Sequence, residues 1–136
     1  MKKNLIPVFL LLALLLFACK KDEVSIRFNY LTSNTWQSDS LLANGEDAGG
    51  PGQMLEKFNG EAIFNEDGTG IFGSYSGEWH FAYDETKIVI DSDSLAFPLT
   101  TNVEELTASS LKITTAFPNL VNPEAPTAIR MTFNAK

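Results

Sequence analysis

The sequence predicts an all-β fold, an antiparallel up-and-down meander of about eight strands that closes into a small barrel. Three observations predict it. Turn signals recur about every 8 to 12 residues after the Gly-rich stretch at 44–52. Helical periodicity is nearly absent between them. The intervening segments instead alternate apolar and polar residues at the period of two that a half-buried strand requires.

The elements follow in order. Trp36 to Leu42 is a candidate first strand, and Asn44 to Gly52 is the longest evident loop, since its glycines and Pro51 sustain neither helix nor ladder. Glu61-Ala62-Ile63-Phe64 reads as a strand that turns at Asn65-Glu66-Asp67-Gly68, where Gly68 supplies the positive φ of a tight hairpin. Gly70 to Tyr75 returns, and Ser76-Gly77 makes the next expected turn. Glu78 to Tyr83 alternates cleanly, with Trp79, Phe81 and Tyr83 on one face and Glu78, His80 and Ala82 on the other. Asp84-Glu85-Thr86 leads into Lys87 to Asp91. Ser92-Asp93-Ser94 then leads into Leu95 to Leu99, an expected edge or bulged strand because Pro98 cannot donate to a ladder. Leu111 to Thr115 follows, then a loop with Pro118, Pro123 and Pro126, and a last strand that sets Ile129, Met131 and Phe133 on one face.

The beginning of the chain reads differently. Lys2 and Lys3 precede an apolar run from Leu5 to Phe17, with a small residue, Ala18, before Cys19. That run is too short for a membrane span and has the three parts of a cleaved export signal. Leu16-Phe17-Ala18-Cys19 resembles the lipobox of bacterial lipoproteins. The resemblance implies cleavage before Cys19, a diacylglycerol on its sulfur and usually an acyl chain such as palmitate on its new amino group. Several acyl chains, at about 0.8 kcal/mol per buried methylene, would hold the protein on a bilayer. Lys21-Asp22-Glu23 in turn resembles the short Lys-acidic-acidic signals that send some Gram-negative lipoproteins to the outer face of the outer membrane, and reads equally well as a solvated tether. The expected organisation is a signal peptide at 1–18, a lipidated cysteine and tether at 19–33, and one barrel domain at 34–136.

Removing residues 1–18 takes away two lysines and no acid, leaving 8 basic against 17 acidic residues, a formal charge of −9. That charge opposes binding to nucleic acid and to anionic lipid surfaces. A single histidine, His80, and a cysteine expected to be lipidated leave no common metal site and no Ser-His-Asp arrangement beyond one built on His80. The carboxylates Glu66, Asp67, Asp84, Glu85, Asp91 and Asp93 fall at expected hairpins, where local hydrogen bonding asks for them. No cofactor and no enzymatic activity are expected.

With the strands laid out, residues 31 to the end resemble the lipocalin-like domains of small bacterial lipoproteins. The resemblance rests on Leu31-Thr32-Ser33-Asn34-Thr35-Trp36, Phe64 to Gly70, Gly77-Glu78-Trp79 and the Leu106…Leu111-Lys112-Ile113 pair. It implies a Trp36 covered by a late arginine, a role for Arg130, with Asn34 standing where lipocalins carry glycine. Arg130 is out of phase with Ile129, Met131 and Phe133, so simple pleating turns it outward unless a bulge intervenes. Trp36, Phe64, Trp79, Phe81, Phe97 and Phe133 can all face one interior, as a filled core or as the lining of a ligand site. Two functions remain open: an outer-membrane lipoprotein, monomeric, that binds a small apolar molecule, or an accessory envelope protein that meets a protein or glycan partner through loops 44–52 and 116–126.

Overall fold

The computed structural model describes residues 24–136. The signal segment, Cys19 and Lys21-Asp22-Glu23 lie outside the described residues. Helix α1 (Ile26–Thr32) is followed by strands β1 (Thr35–Ala43), β2 (Glu46–Asp47), β3 (Glu61–Phe64), β4 (Thr69–Phe72) and β5 (Tyr75–Ala82). Strands β6 (Lys87–Asp91), β7 (Leu99–Leu106), β8 (Ser110–Phe117) and β9 (Thr127–Ala135) complete the chain. Every pairing is antiparallel, and β1 pairs with both β3 and β9. Eight strands therefore close a barrel, while the two-residue β2 adds only to the end of β1. Closure removes the exposed edges that an open sheet would carry.

One face of each strand fills the interior. Trp36 is fully buried and lies across the ladder from two small residues, Ala62 and Ala135, which leave room for the indole. Ile129, Met131 and Phe133 point inward from β9 as their alternation predicts. Arg130 between them is exposed and pairs with Leu42 and Thr114 without a bulge, so it does not cover Trp36.

Residues 26–32, which the sequence assigns to the tether, form a helix instead. Ser25 caps it, its Oγ accepting from the Phe28 N–H at 3.0 Å, and Leu31 is fully buried. The spacing Ile26, Phe28, Tyr30 imitates a strand, and two turns of helix are too short to show a helical period. The helix plugs one end of the barrel through directed bonds. The Trp36 Nε1–H donates to the Leu31 carbonyl at 3.0 Å, and Asn34 Nδ2 donates to the carbonyls of Tyr30 and Ala108 at 3.0 and 3.1 Å. Arg27 donates to the Glu85 carbonyl from Nε and Nη2, at 3.2 and 2.9 Å, while Ser25 Oγ donates to the Glu85 carboxylate at 2.6 Å. These contacts hold a strained turn, in which Tyr83, Asp84 and Glu85 have φ of 51°, 53° and 63°. Left-handed backbone at non-glycine residues costs about 1–2 kcal/mol each, which the clamp from α1 offsets.

The opposite end is closed by the segment after β2. Asn44-Gly45 makes a tight turn into β2, and the chain then folds back so that Leu55 and Phe58 are buried, with Phe58 against Tyr75 at 4.8 Å between ring centroids. A short 3₁₀ turn over Glu56–Phe58 aims Phe58 inward.

Two expectations about turns and strands change. Ser76-Gly77 lies within β5, and the turn falls one step earlier at Gly73-Ser74. Gly77 is required there by proximity: a Cβ would meet the Asp91 carbonyl oxygen at 2.0 Å. The strand expected at 95–99 is absent, and β7 begins at Leu99. It escapes a search for apolar alternation because its inward residues include Thr101, fully buried with its Oγ1–H donated to the Ile88 carbonyl at 2.9 Å. Gly68 has φ of 88°, as the hairpin expectation requires.

Candidate functional site

The aromatic residues read as a possible ligand lining separate into three groups. Trp36, Phe64, Trp79 and Phe133 are buried core. Phe64 meets Trp79 edge-on at 5.5 Å and Phe72 at 5.2 Å, spacings at which aromatic pairs add to the stability of a packed core. Phe81 is half-buried and packs against this core. Phe97 is not in the interior: it lies on the loop between β6 and β7 and is 51% exposed. Its alternation with Leu95 and Leu99 reflects a loop surface rather than a strand.

The interior itself is full. The residual space among Phe58, Phe64, Ile113, Met131 and their neighbours is about 10 Å³. A single water needs about 10–15 Å³ on the same measure, so no ligand enters the barrel as it stands.

An apolar concavity lies outside the interior, at the loop end. A groove of about 250 Å³ runs between the 92–98 loop, the start of the proline loop and the segment that closes the barrel. Met54, Leu95, Phe97, Leu99, Phe117, Pro118 and Leu120 line it. Leu99 is buried and forms the base, whereas Met54 and Phe97 are each about half exposed and form the walls. Leu120 and Val121 project almost fully into solvent. Their presentation is built locally: Asn119 Oδ1 accepts from the N–H groups of Val121 and Asn122, both at 3.0 Å, in an Asx turn. Apolar side chains held out by an ordered turn cost hydration free energy that the fold does not recover.

The groove was partly legible. Phe97 and the proline loop stand out in the sequence, but Met54, Leu95 and Phe117 become neighbours only through the closure of the barrel.

Charged groups lie elsewhere. His80 is exposed on the outer face of β5. Glu78 and Asp91 are directly opposite across the β5–β6 ladder. Among the described residues no three histidine, cysteine, aspartate or glutamate side chains gather as a metal ion would require. Two carboxylates titrate below their ordinary range. The hydroxyl and then the N–H of Thr69, at 2.6 and 3.0 Å, hold Asp67 down, and Ser110 Oγ at 2.6 Å followed by Lys112 at 3.3 Å hold Glu105 down. Both are exposed hairpin devices rather than groups tuned for proton transfer.

The arrangement defines a closed eight-stranded antiparallel barrel with a filled core and an apolar groove on its loops. Compared with models of known protein families and with curated proteins, the sequence matches none.

Proposed function

We propose that the protein is a lipoprotein anchored in the outer membrane through Cys19, and that its barrel is a non-enzymatic binding module for a small apolar molecule. The groove at the loop end carries this reading. Its volume of about 250 Å³ is close to the roughly 300 Å³ at which ligand sites begin, and its lining is almost wholly apolar. The anchor rests on the lipobox Leu16-Phe17-Ala18-Cys19.

Binding is tested with the neutral fluorophore N-phenyl-1-naphthylamine. The mature chain is expected to give saturable enhancement, and Phe97→Asp to abolish it without lowering the melting temperature. An absent response, or one that Phe97→Asp leaves intact, removes the groove from the proposal. The anchor is tested separately: Cys19→Ser is expected to lose palmitate labelling and to leave the membrane fraction.

A second reading is favoured by one observation. Leu120 and Val121 are 94% and 96% exposed and extend past the groove, more apolar surface than a small ligand would cover. A protein or glycan partner at the 116–126 loop would cover it. Cross-linking on intact cells that is lost on shortening this loop supports that partner, and unchanged products count against it.

A further inference from the structure

A second concavity, of about 330 Å³, lies near the opposite end, between α1, the β3–β4 hairpin and β5. Its lining includes three aromatic rings, the half-buried Phe28 and Phe81 and, behind them, Trp79, which is 5% exposed. Trp79 sits between Phe28, whose centroid is 5.7 Å away at an interplanar angle of 32°, and Phe81, at 5.4 Å and 86°. Glu66 and Asp67 stand exposed on the hairpin side, and His80 on the strand.

What the cleft offers a ligand is one-sided. The indole N–H of Trp79 is already donated to the Asn65 carbonyl at 2.9 Å. The Thr69 contacts keep Asp67 ionised at neutral pH. An ionised carboxylate accepts hydrogen bonds and cannot donate. The two ion pairs of the described residues, Lys112–Glu105 and Lys136–Glu61, involve neither Glu66 nor Asp67. The lining therefore presents aromatic rings and negative charge, with His80 as its one uncommitted side-chain donor. A sugar needs donors as well as acceptors, and an anion would be repelled. A positively charged ammonium group is attracted by both features at once, by ring quadrupoles and by carboxylates.

We propose that this cleft binds an organic ammonium cation. The group has two sources of identical chemistry, a soluble amine and the ammonium headgroup of a phospholipid. The test uses tryptophan emission of the mature chain at constant ionic strength, because Trp79 lines the cleft while Trp36 is fully buried and serves as an internal constant. Choline is expected to change the emission saturably, in about the millimolar range of a few weak cation–π and charge contacts. Its neutral isostere 3,3-dimethylbutan-1-ol is expected to act at least about tenfold more weakly, and Glu66→Gln to raise the half-saturating choline concentration about fivefold with an unchanged melting temperature.

Vesicles separate the sources. A response to choline and to phosphatidylcholine vesicles, but not to phosphatidylglycerol vesicles, identifies the headgroup, and a response to choline alone identifies a soluble amine. Equal potency of the alcohol, an unaltered curve for Glu66→Gln, or no saturable response to choline overturns the proposal.

Discussion

The two ends of the barrel are closed by different elements, a capped helix at one and an irregular segment with a 3₁₀ turn at the other. At the helix end, α1 is fastened by directed hydrogen bonds from Ser25, Arg27, Asn34 and Trp36, three of them to backbone carbonyls and that of Ser25 to the Glu85 carboxylate. At the loop end, burial of Leu55 and Phe58 is joined by bonds such as Asn59 Nδ2 to the Gly49 carbonyl and the Ser74 N–H to the Lys57 carbonyl, and apolar residues remain in solvent at Met54, Phe97, Leu120 and Val121. Directed bonds specify one arrangement, and Val24, Ile26 and Tyr83 stay exposed around them. Apolar closure with a residue of uncovered side chains leaves a surface that another molecule can stabilise.

The comparison breaks most sharply at a large, fully buried residue. Trp36→Ala is expected to cost about 3–5 kcal/mol in urea unfolding, because it empties a fully buried indole site and strands the Leu31 carbonyl. Phe97→Ala, at the other end, is expected to stay within about 1 kcal/mol of the parent, since half of that ring is already in water. Equal costs at the two ends would mean that the loop end is as integral to the fold as the helix end.

The meander was legible because most of its signal is local. The alternation around Trp79, Gly68 after Asn65-Glu66-Asp67, and the apolar phase of β9 each needed only a few neighbouring residues, and they specify both strands and turns. What escaped was non-local. Thr101 is polar and faces inward because the Ile88 carbonyl is there to accept its hydroxyl, a partner 13 residues away. The helical state of 26–32 depends on Trp36 and Glu85, and the role of Gly77 on the approach of Asp91. The groove is legible only in part for the same reason: Phe97 is an exposed aromatic in the loop rather than a core residue, and its companions come also from two other loops and from the ends of β7 and β8.

Next in size is the clamp. Arg27→Ala removes two bonds to the Glu85 carbonyl and is expected to lower stability by about 1–2 kcal/mol, with amide exchange rising first in residues 83–86. Uniform exchange across the barrel would show instead that α1 and the barrel unfold as one unit.

The ends also differ in their relation to the proposed anchor. Ser25 contacts the β5–β6 turn, so the described chain begins at the helix end. Cys19 precedes Val24 by five residues, a reach of about 18 Å even when extended. The nine residues of β1 span about 30 Å. On the proposed lipidation, the groove is therefore carried away from the bilayer. Coupling the mature chain to vesicles through a maleimide lipid at Cys19 tests this: a spin label replacing Tyr83 is expected to report membrane proximity, and one replacing Leu120 to report bulk solvent. Proximity at Leu120 would place the groove on the membrane and change the source of its ligand.

The smallest effect concerns pH and again divides the ends. Asp67 and Glu105 both lie on hairpins at the helix end and both titrate below their ordinary values, because Thr69 and Ser110 donate to the ionised forms. A folded-state value depressed below the unfolded one stabilises the protein above the unfolded value, and the contribution is lost as pH falls from about 4 through the depressed range. The hairpins at 65–68 and 107–109 are thus expected to loosen before the loop end as acid is added, with a small effect because both groups are exposed. Asp67→Asn is expected to lower stability at pH 7 and to flatten its decline between about pH 4 and pH 2, followed by urea midpoints across that range. A decline as steep as the parent's would assign the acid sensitivity to other carboxylates. The depressed value of Asp67 would then matter only in keeping that carboxylate charged beside Trp79.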